Sequence, residues 1–169
     1  GGFVPNPRPS KVRGGIELCR RENVDFLLAV GGGSVIDSCK AIGYGLANPE
    51  TDVWKFFLRT ETPKACLPVG VILTIAASGS EMSNSCVITN EEGWLKRSTA
   101  RNDLCRPRFA ILNPRLTYTL PQYQTESGCV DILMHTMERY FVNIETMEIT
   151  DSISESLMQT VIYNARILM

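Results

Sequence analysis

Short apolar runs separated by turn residues dominate the first two thirds of the chain. The clearest of them, residues 26–30, is apolar throughout and predicts a strand buried on both faces of a sheet. Turn residues such as Asn113-Pro114 mark where such runs end. The same pattern predicts four strands, at 26–30, 69–74, 86–89 and 109–112.

Two stretches beside these runs have helical spacing instead. The first predicts a helix over residues 9–22 with Ser10 as its N-cap, and the second predicts a helix from Ser34 to about Leu46. Strands that alternate with helices predict an α/β domain with a parallel sheet.

From Thr125 onward the 3.6-residue period of a helix replaces the strand pattern, and glycine disappears after Gly128. We therefore predict an α/β part over residues 1–122 and the start of an all-helical domain over 123–169. The chain begins without methionine and its last apolar repeat, near Leu168, has no helix stop. We expect a fragment whose sheet is incomplete at its N-terminus and whose helical domain is truncated.

Composition narrows the classes of function. The 17 basic and 18 acidic residues give a net charge of −1, and no basic run is present, so we expect no binding to nucleic acid. The longest apolar stretch is too short to cross a membrane. Six cysteines without a C-x-x-C pair are typical of reduced thiols, which predicts a cytoplasmic protein.

A triple glycine, Gly31, Gly32 and Gly33, follows the first predicted strand directly, and Ser34 begins the next helix as its predicted cap. Glycines let the backbone approach an anion, and a helix start offers N–H groups to phosphate. The alternative is a tight turn that only requires glycine. Three glycines exceed that need, so the pattern favours phosphate binding, although it is not the G-x-G-x-x-G fingerprint.

Asp37 lies one turn into the same helix. Its position suits the helix dipole without any function, and it also suits ligand binding, so both interpretations remain open. The spacing to Lys40 predicts a pairing of the two side chains.

Asp131 and His135 are four residues apart, so they share one face of the helix predicted beyond Thr125, and Glu138 lies on that face too. One hypothesis is a solvated face with an Asp–His contact. The other is a pair of pre-aligned ligands for a divalent metal, which requires further ligands from elsewhere.

Three segments together resemble the iron-containing, or group III, alcohol dehydrogenases, and most of all their butanol-dehydrogenase branch. Residues 31–42 are similar to the family's G-G-G-S-x-x-D-x-x-K-x-I, and residues 74–81 are similar to T-x-x-x-T-G-S-E. Residues 131–140 match D-x-x-x-H-x-x-E-x-Y, the greater part of the family's G-x-D-x-x-x-H-x-x-E-x-Y, and Gly128 stands one residue earlier than the glycine of that pattern. Ser78 replaces the usual threonine and keeps a hydroxyl, and Asn113 replaces a common aspartate in a turn.

The resemblance implies a dehydroquinate-synthase-like architecture, in which an α/β nucleotide domain precedes a helical metal domain. It implies that NAD or NADP is the cofactor and that Asp131 and His135 are two of four ligands to Fe²⁺ or Zn²⁺, the others being histidines downstream of this chain. It also implies a homo-oligomer that acts on a small alcohol or aldehyde and has no membrane association. The implied cofactor-binding residues are Gly31, Gly32, Gly33, Ser34, Asp37, Thr74, Ile75, Ser78 and Lys96.

The expected function is hydride transfer between NAD(P) and a primary alcohol or aldehyde such as butanol or butanal. One alternative within the superfamily is a polyol dehydrogenase of the glycerol type or a dehydroquinate-synthase-like enzyme. An alternative of another class is an inactive nucleotide-binding fragment, because two of the implied ligands are absent. We expect the isolated chain to be inactive.

Overall fold

The structure is a computed structural model that describes residues 6–99, 102–143 and 147–168. It divides into two compact units, the first ending at Thr117 and the second beginning at Tyr118. No helix within the described ranges has an apolar stretch long enough to span a membrane.

The first unit contains a parallel sheet of three strands in the order β1-β2-β5. Its strands are β1 (Leu27–Gly31), β2 (Val69–Leu73) and β5 (Phe109–Ile111). Leu27 of β1 is in register with Val69 of β2, and Gly70 of β2 is in register with Phe109. The carboxyl ends of β1 and β2 therefore lie side by side, which places the segments that follow them together.

The described residues of this unit form three α-helices, α1 (Pro9–Arg21), α2 (Gly33–Ala47) and α3 (Trp54–Leu58), and two short 3-10 helices, Asp103–Cys105 and Pro114–Thr117. The prediction that Ser10 caps α1 is wrong, because Pro9 already occupies the first turn and the N-cap is Arg8. Proline suits that position, since its missing N–H has no partner inside the helix.

The core lies on one face of the sheet, where Val12 and Ile16 of α1 and Ile36 of α2 cluster with Leu27 and Ala29 of β1. The prediction that residues 26–30 are buried on both faces is therefore wrong. Leu28 and Val30 point the other way and are 50% and 55% exposed. Successive strand residues alternate between faces, and α1 and α2 both pack on the face that carries Leu27.

The strand predicted at 86–89 is not part of the parallel sheet. It is β3 (Val87–Asn90), which pairs antiparallel with β4 (Leu95–Ser98), a strand that the sequence did not predict. Gly93 and Trp94 in the turn have φ of 72° and 53°. Such left-handed residues turn the chain back on itself, so this segment forms a hairpin instead of joining the sheet.

The second unit is a pair of packed helices, α4 (Gln122–Tyr140) and α5 (Glu148–Leu168). Helix α4 begins three residues before the predicted change of pattern at Thr125. Most of its side chains are exposed or half-buried, and Thr136 is its buried residue.

Candidate functional site

The glycine loop joins the end of β1 to the start of α2. Gly32 is the N-cap of α2, and its carbonyl oxygen accepts hydrogen bonds from the N–H groups of Val35 and Ile36 at 3.0 and 3.1 Å. The prediction that Ser34 caps this helix is wrong, because the helix begins one residue earlier and no side chain caps it. A glycine N-cap leaves the first turn of the helix open to a ligand.

A cavity of about 530 Å³ opens at this loop. It brings together seven of the nine predicted cofactor-binding residues, which come from the glycine loop, the segment after β2 and strand β4. They are Gly32, Gly33, Ser34, Asp37, Ile75, Ser78 and Lys96.

The two remaining predicted residues, Gly31 and Thr74, do not line the cavity. They end β1 and follow β2, and the N–H of Thr74 donates to the carbonyl oxygen of Gly31 at 3.2 Å. This bond continues the parallel pairing of the two strands and holds the glycine loop beside the segment that begins at Thr74.

The glycines are required by the close approach of these two segments. A Cβ built on Gly33 would lie 2.5 Å from Ser78 Oγ, and one built on Gly32 would collide with Cγ2 of Ile75. A Cβ at either position would therefore move a side chain that lines the cavity. Gly32 and Gly33 thus present only backbone atoms to the cavity, and we call this surface the cradle.

Asp37 lies on the first turns of α2 and is half-buried at the wall of the cavity. One carboxylate oxygen accepts from the Ser80 hydroxyl at 2.5 Å, and the other accepts from the N–H of Val87 at 2.9 Å. Burial raises the pKa of Asp37, and the two hydrogen bonds oppose that rise. Asp37 therefore ties α2 to β3 in addition to lining the cavity.

The predicted pairing of Asp37 with Lys40 is wrong as a direct contact. The ammonium of Lys40 instead donates to oxygen atoms of Ser80, Ser83 and Ser85. Ser80 bridges the two charged groups, since its hydroxyl also contacts Asp37. A loop remote in sequence is a better partner because it surrounds the buried ammonium on several sides.

Five residues of the cavity wall are not among the predicted cofactor-binding residues. Asn6 and Pro7 lie before α1, and the carbonyl oxygen of Pro7 accepts from the N–H of Thr89 on β3, which places this dipeptide at the cavity. Asn-Pro is a turn pattern that could have been noted, with Asn6 at a left-handed φ of 60°. The other three residues, Val35, Ala77 and Val87, are apolar and carry no ligand-binding pattern of their own.

The predicted metal ligands lie on α4 in the second unit. His135 Nε2 is 3.8 Å from Asp131 Oδ1, and both side chains are about half exposed, at 55% and 48%. Glu138 is exposed on the same helix. Within residues 6–99, 102–143 and 147–168, no group of three His, Cys, Asp or Glu side chains is arranged to hold a metal.

The donor set of this pair nevertheless suits a divalent transition metal. A carboxylate oxygen and an imidazole nitrogen on adjacent turns are ligands that Fe²⁺ and Zn²⁺ accept. Both side chains are about half exposed. The pair is thus chemically fit to be part of a site, and other ligands must complete it.

Residues 1–114, more than half of the chain, match the family of iron-containing alcohol dehydrogenases. The chain belongs to that family. The resemblance stated from the three sequence segments is therefore confirmed.

Among its relatives, the chain is 46% identical over 164 residues to a probable NADH-dependent butanol dehydrogenase of Bacillus subtilis, covering 97% of this chain and 42% of that protein. It is 38% identical to an NADPH-dependent aldehyde reductase of Escherichia coli, covering 96% and 42%. Its structure is similar to that of NADH-dependent butanol dehydrogenase A of Thermotoga maritima, with a TM-score of 0.91 at 38% identity over 99% of this chain and 41% of that one. The likeness confirms the predicted fold class, a parallel-sheet α/β part followed by helices. The chain spans about two fifths of the length of these relatives.

Proposed function

We propose that the complete protein containing this chain is a metal-dependent oxidoreductase that transfers a hydride between NAD(P) and a primary alcohol or aldehyde such as butanol or butanal. The observation that carries the proposal is the cavity at the glycine loop, where seven predicted cofactor-binding residues meet. Relatives named as NADH-dependent butanol dehydrogenases and as an NADPH-dependent aldehyde reductase support the substrate class and the cofactor.

In this proposal the first unit holds the cofactor. Gly32 and Gly33 provide a backbone surface for the pyrophosphate, and Ser34 adds a hydroxyl beside it. Lys96 of β4 is exposed and lines the same cavity, where it supplies a positive charge. The segment that begins at Thr74 contributes Ile75 and Ser78 to the cavity wall, where they would face the cofactor towards its nicotinamide end, the part that exchanges the hydride.

Asp131 and His135 hold a metal ion in this proposal, together with ligands outside the chain. The chemistry that Fe²⁺ or Zn²⁺ would supply there is Lewis-acid polarisation of the alcohol or aldehyde oxygen. The role of the two residues is to fix part of that ion's coordination from one rigid helix. Residues 1–122 are then the cofactor domain and residues 123–169 the beginning of the metal domain.

The proposal also covers the oligomeric state of the protein and its cellular compartment. We expect a homo-oligomer, as the family resemblance implies. We also expect a reducing compartment such as the cytosol, which is supported by the six free thiols, three of them buried within the first unit.

The proposal is tested with the complete protein, loaded with Fe²⁺ or Zn²⁺. We expect saturable binding of NADH or NADPH by fluorescence titration and cofactor-linked reduction of butanal. Oxidation of glycerol at higher kcat/KM than butanol would favour a polyol dehydrogenase instead. Binding of neither nicotinamide cofactor would contradict the proposed function altogether.

A further inference from the structure

Lys40 of α2 is a charged residue whose side chain is completely buried. Its Nζ lies 2.7 Å from the carbonyl oxygen of Ser80, 3.0 Å from that of Ser83 and 2.9 Å from that of Ser85. The hydroxyls of Ser80 and Ser83 lie 3.2 and 3.1 Å from the same nitrogen. Five oxygen atoms of one short segment therefore surround an ammonium that has three N–H donors.

The two hydroxyls are oriented by hydrogen bonds that they donate elsewhere. Ser80 Oγ donates to Asp37, and Ser83 Oγ donates to the carbonyl oxygen of Ser85 at 2.9 Å. Since a serine hydroxyl carries a single hydrogen, each oxygen presents a lone pair to Lys40. Lys40 thus donates to Ser80 Oγ, which in turn donates to Asp37. Through this chain of hydrogen bonds the carboxylate offsets the buried positive charge of Lys40.

The segment that Lys40 binds has no regular structure of its own. Residues 74–86, between β2 and β3, contain neither helix nor strand, and Gly79 within them has a left-handed φ of 68°. The first part of this segment, including Ile75 and Ser78, lines the cavity, whereas the second part contacts Lys40. Irregular backbone lacks ladder hydrogen bonds, so its position depends on such anchors.

We propose that Lys40 is a positioning residue for cofactor binding. Its ammonium fixes residues 80–85, and thereby holds Ile75 and Ser78 against the glycine loop at the spacing that the cofactor requires. The clearance is small, because a Cβ built on Gly33 would lie 2.5 Å from Ser78 Oγ and would displace that side chain. This inference rests on the proposed function, since it takes the ligand of the cavity to be a nicotinamide cofactor.

The test is Lys40→Met in the complete protein, which keeps the apolar stem and removes the charge and its donors. We expect the Kd for NADH or NADPH, whichever the unaltered protein binds, to rise about tenfold or more, equivalent to roughly 1.4 kcal/mol. The KM for the cofactor should rise in parallel, while the KM for the aldehyde and the metal content remain unchanged. Loss of a residue that merely stabilised the fold would not raise the Kd and KM for the cofactor while leaving the KM for the aldehyde and the metal content unchanged.

The matched control is Arg20→Met, which likewise removes a positive charge that donates to a backbone carbonyl. Arg20 of α1 donates to the carbonyl oxygen of Gly45 in α2 at 3.0 Å, and neither residue belongs to residues 74–86 or lines the cavity. We expect this variant to lower the Tm and to leave the Kd for the cofactor within about twofold, well under the 1.4 kcal/mol of a tenfold change. A control that raised the Kd as much as Lys40→Met at an equal loss of Tm would overturn the proposal, and so would an unchanged Kd in folded Lys40→Met.

If Lys40→Met does not fold, Ser80→Ala and Ser83→Ala decide the question, because each removes one hydroxyl and leaves the ammonium in place. A raised Kd in Ser83→Ala supports the proposal. An unchanged Kd in Ser83→Ala overturns it, even where Ser80→Ala raises the Kd, because the Ser80 hydroxyl also binds Asp37. A wild-type protein that binds neither cofactor contradicts the proposed function itself and removes the basis of this inference.

Discussion

At the scale of single residues, the absence of a side chain matters most at the glycine loop. Gly33 is the first residue of α2, where alanine would ordinarily improve helix stability. Its Cβ would nevertheless lie 2.5 Å from Ser78 Oγ in the cavity. At position 33, alanine would therefore favour the helix but reduce the space for a ligand in the cavity. Substitution of Gly33 distinguishes these two effects.

Gly33→Ala in the complete protein should weaken cofactor binding without unfolding the chain. We expect the Kd for NADH or NADPH to rise about tenfold, or roughly 1.4 kcal/mol, because the methyl group displaces Ser78 and narrows the cradle. Gly14→Ala is the matched control, since Gly14 lies in α1 with no atom within 4 Å of its added Cβ. It should leave the Kd unchanged and raise stability by up to about 1 kcal/mol. Equal cofactor affinities in the two variants would refute the phosphate cradle.

Asp131 is the carboxylate of the proposed metal pair, 3.8 Å from His135. Asp131→Ala in the complete protein should remove bound metal and turnover together, while cofactor binding in the first unit persists. Glu138→Gln, three residues beyond His135 on the same helix, is the control and should keep its metal. Elemental analysis checks both. One metal ion per subunit in Asp131→Ala would show that this carboxylate is not a ligand.

At the scale of elements, α1 is tied to the segment that leads into α3. Arg13 donates to both oxygens of Asp52, at 2.8 and 3.0 Å, and Asp52 also accepts from the N–H of Trp54 at 3.0 Å. The hydrogen bond from Arg13 is the main reason that the pKa of Asp52 lies below its usual value. Because both side chains are nearly half exposed, the pair stabilises the fold by at most about 1 kcal/mol.

Asp52→Asn should lower the Tm of the complete protein at neutral pH, and the difference from wild type should shrink in acid. A depressed folded-state pKa adds stability above the unfolded-state value of roughly 3.9, and this stability is lost as the pH falls through the folded-state value. Thermal unfolding between pH 7 and pH 3 measures the effect. In an Arg13→Met background the same substitution should have little influence on the pH dependence. A pH dependence that survives in that background would assign the effect to another group.

The connection after β5 illustrates how one element tolerates a substitution within the family pattern. Asn113 stands where the family often has aspartate, and its side-chain oxygen accepts from the N–H of Arg115 at 3.1 Å. An asparagine oxygen caps a short helical turn as an aspartate oxygen does. The turn at 114–117 is therefore preserved.

At the scale of the whole molecule, large apolar surfaces are exposed in both units. In the sheet, Leu28, Val30 and Ile111 are about half exposed, and in α5 Ile149 and Ile153 are 76% and 62% exposed. Exposed apolar patches of this kind normally pack against other elements or partners. The chain spans only about two fifths of its relatives, whose remaining parts are available to cover such surfaces.

The isolated 169-residue chain should therefore associate in solution and oxidise neither butanol nor ethanol with NAD or NADP. Its apolar faces remain uncovered, and Asp131 and His135 alone provide fewer ligands than a catalytic metal site normally has. Light scattering and a cofactor-linked assay check the two expectations. The complete protein, assayed in parallel, should be active. Butanol oxidation by the purified chain alone would mean that a second copy completes the metal site or that the reaction needs no such site.

Local patterns were sufficient to predict most elements of the first unit. The pattern of an apolar strand, glycines and a helix start depends only on residues that are neighbours in sequence. In the structure, β1 ends and α2 begins within one residue of the predicted positions. The spacing of Asp131 and His135 likewise follows from the period of one helix. The family resemblance, and with it the predicted cofactor residues, also came from contiguous segments of sequence.

Tertiary structure decided what depended on partners distant in sequence. Lys40 bonds to a segment forty residues away instead of to Asp37, which lies only one turn from it. The strand at β3 pairs with β4 in a hairpin, and β1 is covered on one face because α1 and α2 occupy the same side. Asn6 and Pro7 line the cavity, where the carbonyl oxygen of Pro7 accepts from the N–H of Thr89, far along the chain. The period of apolar residues determines whether each segment is a helix or a strand. The hydrogen-bond partners of its polar groups, and the face that it buries, are determined only when the segments pack together.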